Sequence, residues 1–515
     1  MTDCNDKPIV FSSLGRKQVV ADFEGGNITS DGGALLLREV DRHLGLIDRL
    51  NAALPDPRDP SKIIHEQRHM LAQRVFAIAL GHEDLNDHHG LRNDPLMQAV
   101  TGRGVDDGQP LASPTTLCRL ENRVTDRKAL FGVAAALVDV FVASHAEPPA
   151  ELVLDFDATD DEVHGNQVGR FFHGYYDSYC FLPLYVFCGD HLLAAYLRPS
   201  NIDAAKHSRA ILKLLVERLR QAWPAVKITI RADSGFCRWR LMRWCERHDV
   251  HYVLGLAKNK VLERMSHYAM LKGRLGFEET GEKARVFDEF TYAAGSWDRA
   301  RRVILRHEHD AHGPNPRFVV TDLPREEHAA RALYEQTYCA RGECENRIKE
   351  QQLDLFAGRT SCHEFLPNQF RVLLSAAAYV LFDHLRRRGL AGTELQEAQA
   401  GTIRLKLLKV GARVVHSVRR IVLHLSGGYP LRELFIQLAR KLVALPGVAR
   451  PRRPRRCCQR MDPKQPGPGD GGKGAVRRRA TPGPLLDASS CQEQPRESFT
   501  CADAISGLVR RGRGG

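Results

Sequence analysis

Leu152-Val153-Leu154-Asp155-Phe156-Asp157-Ala158-Thr159 is an apolar run that ends in carboxylates. Its shortness and its branched and aromatic residues predict a strand over 152–157. Two further apolar runs, 181–188 and 192–198, meet at Gly189-Asp190, which reads as a hairpin turn. Residues 204–222 carry apolar side chains at helical spacing. Next come a strand over 226–232 ending in Asp233-Ser234-Gly235, a helix over 238–248 and a strand over 252–256. Strand, strand, strand, helix, strand, helix, strand is the order of a ribonuclease-H-like α/β core, an antiparallel hairpin sheet extended by parallel strands. In that order the first strand and the strand after the first helix are neighbours. Asp157 and Asp233 would then meet, although 76 positions separate them.

Outward from this core (151–257), residues 1–150 read as a helical N-terminal region. Ser30-Asp31-Gly32-Gly33 has the look of a capped helix start, and 65–80 keeps helical spacing. Ser113-Pro114 opens another helix through Leu117, Leu120 and Val124, with Pro at its first position. Arg119, Arg123, Arg127 and Lys128 decorate it. That suits a DNA-binding module, and equally a bundle with a charged outer face. On the C-terminal side, 258–337 reads as a β-rich insertion with strands near 286–293, 302–305 and 317–320. Residues 338–356 are a polar helix that opens the second part of the core, 338–445. Helices over 368–388 and 431–442 flank a basic, strand-like 412–425. The tail, 446–515, is rich in Pro, Gly and Arg and lacks apolar periodicity, so it is expected to be disordered. It would hold DNA non-specifically or be an extension without function.

The chain has 515 residues, 43% hydrophobic and 27% charged, the composition of a globular protein with a large core. No uninterrupted apolar run approaches the roughly 18 residues of a membrane span, and the N-terminus lacks the pattern of a secretory signal. The expected setting is the cytoplasm, on the nucleoid of a bacterium, with no membrane partner. The formal net charge is +13. Residues 451–515 hold 14 Lys and Arg against six Asp and Glu, so eight of those charges belong to the tail. Any basic surface on the rest is local. The 13 cysteines form no Cys-x-x-Cys and no zinc-ligand spacing, which fits reduced thiols.

Asp157 and Asp233 at strand ends, with Glu345 in Arg341-Gly342-Glu343-Cys344-Glu345-Asn346-Arg347, are the candidate catalytic and metal-binding residues. Three carboxylates from distant segments suit hard divalent cations. Two ions about 3.5–4 Å apart would activate a water or 3′-hydroxyl and stabilise the leaving oxygen of a phosphodiester. Asp155 competes with Asp157, because alternation puts both on one side of the strand. Asp160 and Asp161 read as solvated loop acids. Asp233 alone would be a turn cap. Tyr338, Arg341, Glu345, Lys349 and Gln352 share one helix face. That face is either a row of exposed ion pairs or a metal ligand among residues that hold DNA.

These residues resemble a transposase of the DDE type, in the branch marked by Tyr-x₂-Arg-x₃-Glu-x₆-Lys. Tyr338, Arg341 and Glu345 match that spacing, and Gln352 stands where the branch has Lys. Lys349, one turn earlier, could substitute in part. Ser30-Asp31-Gly32-Gly33, Leu54-Pro55-Asp56-Pro57-Arg58-Asp59, Gly81-His82-Glu83-Asp84, Asp157-Ala158-Thr159-Asp160-Asp161, Gly174-Tyr175-Tyr176-Asp177, Arg231-Ala232-Asp233-Ser234-Gly235-Phe236 and Glu345-Asn346-Arg347-Ile348-Lys349-Glu350 are similar to the insertion sequence 1380 family. The resemblance spans roughly residues 18–445. It implies a ribonuclease-H-like core with a β-rich insertion and a triad of Asp157, Asp233 and Glu345 holding two Mg²⁺, for which Mn²⁺ would substitute. It also implies cutting of double-stranded DNA at terminal inverted repeats and strand transfer into target DNA, by a homodimer or higher assembly. Tyr338, Arg341, Lys349 and Gln352 would contact DNA. Trp297 would either stack on a flipped base, worth about 1–3 kcal/mol, or anchor the insertion. The rival readings are a nuclease without strand transfer and a DNA-binding protein derived from a transposase.

Overall fold

Residues 8–103 and 109–447 are described here in a computed structural model. All of them fall in one compact unit. The expected basic tail lies outside the described residues from position 448 onward.

The chain opens on an exposed hairpin that a purely helical reading of 1–150 leaves out. β1 (Ile9–Leu14) and β2 (Lys17–Ala21) pair antiparallel, and every residue in both is exposed. After the short β3 (Ile28–Thr29) the region is helical. It holds α1 (Ala34–Leu44), α2 (Leu46–Ala53), α3 (Gln67–Ala79), α4 (His88–Leu91), α5 (Pro95–Thr101), α6 (Pro114–Asn122) and α7 (Arg127–Ala143). Ser113 caps α6 by accepting from the Thr116 amide, with Pro114 at the first position, as the sequence predicts.

The start of α1 corrects the sequence reading. Gly33 is its N-cap and no side chain caps it. Asp31 is buried and pairs with Lys409 and His82 instead. The Gly32 and Gly33 amides donate to the carbonyls of Val410 and Leu408, at 2.8 and 3.1 Å. A Cβ on Gly33 would stand 2.1 Å from the Leu407 carbonyl oxygen. The two glycines serve a close backbone approach rather than a cap.

β4 (Glu151–Ala158) is followed by a small side sheet of β5 (Asp161–Glu162), β6 (Phe171–His173) and β7 (Ser178–Phe181). β8 (Leu184–Cys188) and β9 (His191–Tyr196) then form the expected hairpin. The run over 181–188 is broken at Leu182-Pro183, where Pro has no amide for a ladder. α8 (Ser208–Ala222), β10 (Lys227–Ala232), α9 (Trp239–Arg247) and β11 (Val250–Leu256) follow in the predicted order. α10 (Lys260–Met265) and α11 (His267–Thr280) lead into β12 (Ala284–Tyr292), β13 (Arg301–Asp310) and β14 (Gly313–Thr321). These three strands are not a separate sheet. β14 pairs antiparallel with β11, giving one mixed eight-stranded sheet in the order β12-β13-β14-β11-β10-β4-β8-β9.

Parallel pairing of β4 with β10 is the step that builds the site. Leu152 lies opposite Ile228 and Phe156 opposite Ala232, so the next residue along each strand is Asp157 and Asp233. Asp155 and Arg231 pair on one face of these strands, and the other face is apolar, formed by Leu152, Leu154 and Phe156 with Ile228, Ile230 and Ala232. Their side chains join a core with Leu212, Leu215 and Leu219 of α8 and Met242 of α9.

From Ala330 to Leu353 the backbone is helical throughout, but not uniform. α12 (Ala330–Ala332) passes into a π-helical segment, Leu333–Tyr338, then a 3₁₀ step, Cys339–Arg341, then α13 (Gly342–Leu353). α14 (Phe365–His384) follows and is buried nearly all round. Phe365–Leu390 is long and apolar enough to cross a membrane, yet 89% of its apolar window is buried in this protein. It packs against α3 and reads as a core helix. α15 (Ala400–Ile403), the hairpin β15 (Ala412–Ser417) and β16 (Arg420–Leu425), and α16 (Arg432–Ala444) complete the described chain. β15 also pairs with β3.

Candidate active site

Asp157 ends an apolar strand, and its side chain is only 13% exposed. One oxygen accepts from the Ala158 amide at 2.9 Å, the other from Arg341 at 3.3 Å. Burial pushes its carboxyl up to about 7 against the pull of Arg341, and the charges of Asp233 and Glu345 add to the rise. Asp233 caps the single 3₁₀ turn Ser234–Phe236, accepting from the Gly235 amide at 2.9 Å through Oδ1. The cap uses that oxygen, and Oδ2 has no hydrogen bond among the described residues.

Glu345 sits in the first turn of α13, 45% exposed, and accepts from Arg341 at 2.5 Å. Arg341 therefore bridges Asp157 and Glu345. Burial opposes its charge, but the two carboxylates outweigh burial and hold the guanidinium protonated. Part of the expected ion-pair row thus exists as Arg341–Glu345. Lys349 is exposed and has no ion pair among the described residues.

Tyr338 lies against β11, where glycine makes its room. A Cβ on Gly255 would stand 2.6 Å from the Tyr338 hydroxyl, 2.8 Å from the Ser234 amide and 3.1 Å from the Asp233 carbonyl carbon. Burial raises the Tyr338 hydroxyl, Arg341 draws it down, and the Asp233 charge raises it. Gly255 escapes a reading for acids, although an isolated Gly inside an apolar strand signals close backbone approach.

Asp155, the competitor of Asp157, is committed elsewhere. It takes a two-pronged ion pair from Arg231, at 2.5 and 2.7 Å. Arg231 also donates to the Thr337 carbonyl at 2.5 Å. The pair thereby ties the sheet to the residue before Tyr338. Asp161 corrects the expectation of a solvated loop acid. It is 3% exposed and accepts from the Thr360 hydroxyl at 3.0 Å, and burial raises its carboxyl well above the usual range. Gln352 donates to the Asp160 carbonyl at 2.7 Å, so it ties α13 to the segment just after Asp157.

Trp297 is placed by the strand register. β14 runs against β11, β13 against β14 and β12 against β13, with Tyr292 opposite Arg301 and Arg302 opposite Thr321. The turn between β12 and β13 therefore lies at the end of the sheet opposite Asp157 and Asp233. There the Trp297 ring meets Tyr292 edge-on at 5.4 Å, with the Arg301 guanidinium 5.5 Å from its centre. It packs onto the core as an anchor.

The donor set suits a divalent cation. It is all oxygen, and the charges of Asp233 and Glu345 add to the burial that raises the Asp157 carboxyl to about 7. Among the described residues, no three side chains are spaced ready to hold a metal. At this site Arg341 lies between Asp157 and Glu345. Asp157 and the free oxygen of Asp233 would hold a cation, joined by Glu345 once Arg341 turns away.

The family described as "Transposase DDE domain group 1" matches residues 11–447. No curated protein matches. Among solved structures, a cryo-EM structure of the piggyBac transposase synaptic complex with hairpin DNA is similar at 12% identity and a TM-score of 0.36. That match covers 82% of this chain and 83% of the other.

Proposed function

This chain belongs to the DDE transposases, and we propose that it is a cut-and-paste DNA transposase close to the insertion sequence 1380 branch. The reaction is cutting of double-stranded DNA at terminal inverted repeats, then joining of the freed 3′ end to target DNA. The observation that carries this reading is the β4–β10 pairing, with Asp157 and Asp233 following the last paired residues and Glu345 linked to Asp157 through Arg341. That strand order supports a ribonuclease-H-like core.

When bound, two divalent ions, Mg²⁺ or Mn²⁺, supply an activated water or 3′-hydroxyl and neutralise the leaving oxygen. Asp157 and Asp233 offer oxygens from rigid strand ends, which suits a site that must hold its geometry. Arg341 holds Glu345 beside Asp157 and is placed to meet a DNA phosphate when it leaves them. Tyr338, packed on Gly255, keeps the Asp233 turn and the helix in register. Lys349 is free to take a phosphate. Gln352 acts on the protein side, through Asp160, and Trp297 anchors the far end of the sheet.

In the domain scheme we propose, residues 1–150 grip the transposon end and 258–337 are the insertion that extends the core sheet. Residues 151–257 and 338–445 form the core, and 446–515 are an accessory tail. A dimer or larger assembly would hold two ends, in the bacterial cytoplasm.

The test is a joining assay. Full-length protein is incubated with a donor plasmid carrying the gene's own flanks, a target plasmid and Mg²⁺. The expected product is target DNA covalently joined to the element's 3′ ends. Cutting without joining would indicate a nuclease, and binding without cutting a DNA-binding protein.

A further inference from the structure

Eight Phe and Tyr rings are strongly exposed among the described residues, and four of them fall within 171–179. That stretch is the β6–β7 hairpin, which the roles assigned above leave unused. It is rooted beside the site. β5 starts four residues after Asp157 and pairs with β7, and β7 pairs with β6. The Thr159 amide donates to the Pro183 carbonyl, closing the base of the hairpin.

The rings are ordered. Phe172 and Tyr179 lie opposite each other across the hairpin, edge to face at 5.6 Å. The Arg170 guanidinium lies 4.5 Å from the centre of the Tyr179 ring. At the tip, the His173 carbonyl accepts from the Tyr176 and Asp177 amides, and Asp177 takes a left-handed φ of 52°. This tight turn presents Tyr175, 85% exposed, edge-on to Tyr176 at 4.9 Å. Tyr176 is half-buried, near enough to Asp160 and Asp157 for their charges to act on its hydroxyl.

We infer that this hairpin is a stacking platform for unpaired bases of the DNA strand cut at Asp157, with Tyr175 as the outer ring and Phe172–Tyr179 as a second step. The inference rests on the transposase reading above. Within that reading, three points select the occupant. The platform is continuous with the candidate site, so a strand reaching Asp157 passes it. A ring stacks only on a base face that no neighbouring base covers, so paired duplex does not satisfy it. Arg170, over one face of the Tyr179 ring, puts a cation on the platform that can meet the phosphate of a nucleotide stacked on the neighbouring rings. Folding does not account for these rings, because Phe172 and Tyr175 are more than half exposed.

The test uses full-length protein and duplex DNA carrying the gene's own flanks, with Mg²⁺. Cleavage rates are compared for wild type, Tyr175→Ala, Phe172→Ala and Tyr175→Phe. A second duplex set carries one abasic nucleotide at each position near the cut. Each Ala variant is expected to cut intact flanks about tenfold or more slowly, with Tyr175→Phe near wild type. One abasic position should slow wild type to the rate of Tyr175→Ala and leave that variant no slower. Wild-type rates in both Ala variants, or losses that simply add to every abasic loss, overturn the inference. So does a change of oligomeric state in the variants, which would make the hairpin a protein contact. If wild type neither cuts nor binds the flanks, the transposase reading itself falls and takes this inference with it.

Discussion

At the scale of single residues, acids that look alike in sequence separate by their partners. Asp155 and Asp157 are two positions apart on one strand, yet Asp155 takes both prongs of Arg231 while Asp157 shares Arg341 with Glu345 and feels the charge of Asp233. Asp161 differs again, buried against a neutral hydroxyl with its other oxygen unpartnered. Its raised carboxyl has a consequence for stability. Between the ordinary Asp pKa, near 4, and the raised folded value, the folded state binds the proton that the unfolded state has lost. Stability must then fall as pH rises through that window, by at most about 1.4 kcal/mol per pH unit. Asp161→Asn keeps the shape without the charge. Melting temperatures from pH 4 to 8 should show little difference at pH 4 and a growing advantage for the variant above it. None of this was legible in the sequence, because the hydroxyl partner, Thr360, lies 199 positions away. Asp157 and Asp233 were legible, because each closes an apolar strand run.

At the scale of elements, the order of the main-sheet strands and their helices from 151 to 256 could be read because turn residues bound each run, whereas the three short strands of the side sheet, β5 to β7, escaped the reading. The helix carrying Glu345 was read as uniform, but it enters through a π segment and a 3₁₀ step at Leu333–Arg341. Such irregularities often mark functional positions. Here they coincide with Tyr338 and Arg341, and local propensity gives no sign of them. Arg231 fixes this segment to the sheet by its bond to the Thr337 carbonyl. Arg231→Met would leave Asp155 buried without its cation and the segment without its tie. The expected loss is about 3–5 kcal/mol of stability, with cleavage falling further than unfolding explains. Adding Asp155→Leu should restore much of the melting temperature, because the buried charge is gone. It should not restore cleavage, because the tie to Thr337 is still missing. Denaturant melts beside cleavage rates check both statements.

At the scale of the whole molecule, distant parts of the chain are held together by contacts that sequence periodicity does not encode. Gly32 and Gly33 look like a helix start, but their backbone packs on residues 407–410, almost four hundred positions away. The strands expected as an insertion extend the core sheet through β14, which sets Trp297 at the end away from the acids. Asp157, Asp233 and Glu345 are proposed to act together as a metal-dependent DNA-cutting site. The most direct measurement incubates full-length protein with labelled DNA carrying the gene's own flanks, in Mg²⁺, in Mn²⁺ and with EDTA, beside Asp233→Asn. The account predicts cutting at the element's edges with either metal, none with EDTA and none by Asp233→Asn, which still binds the same DNA. Cutting by Asp233→Asn at the wild-type rate, or cutting undiminished by EDTA, would contradict it.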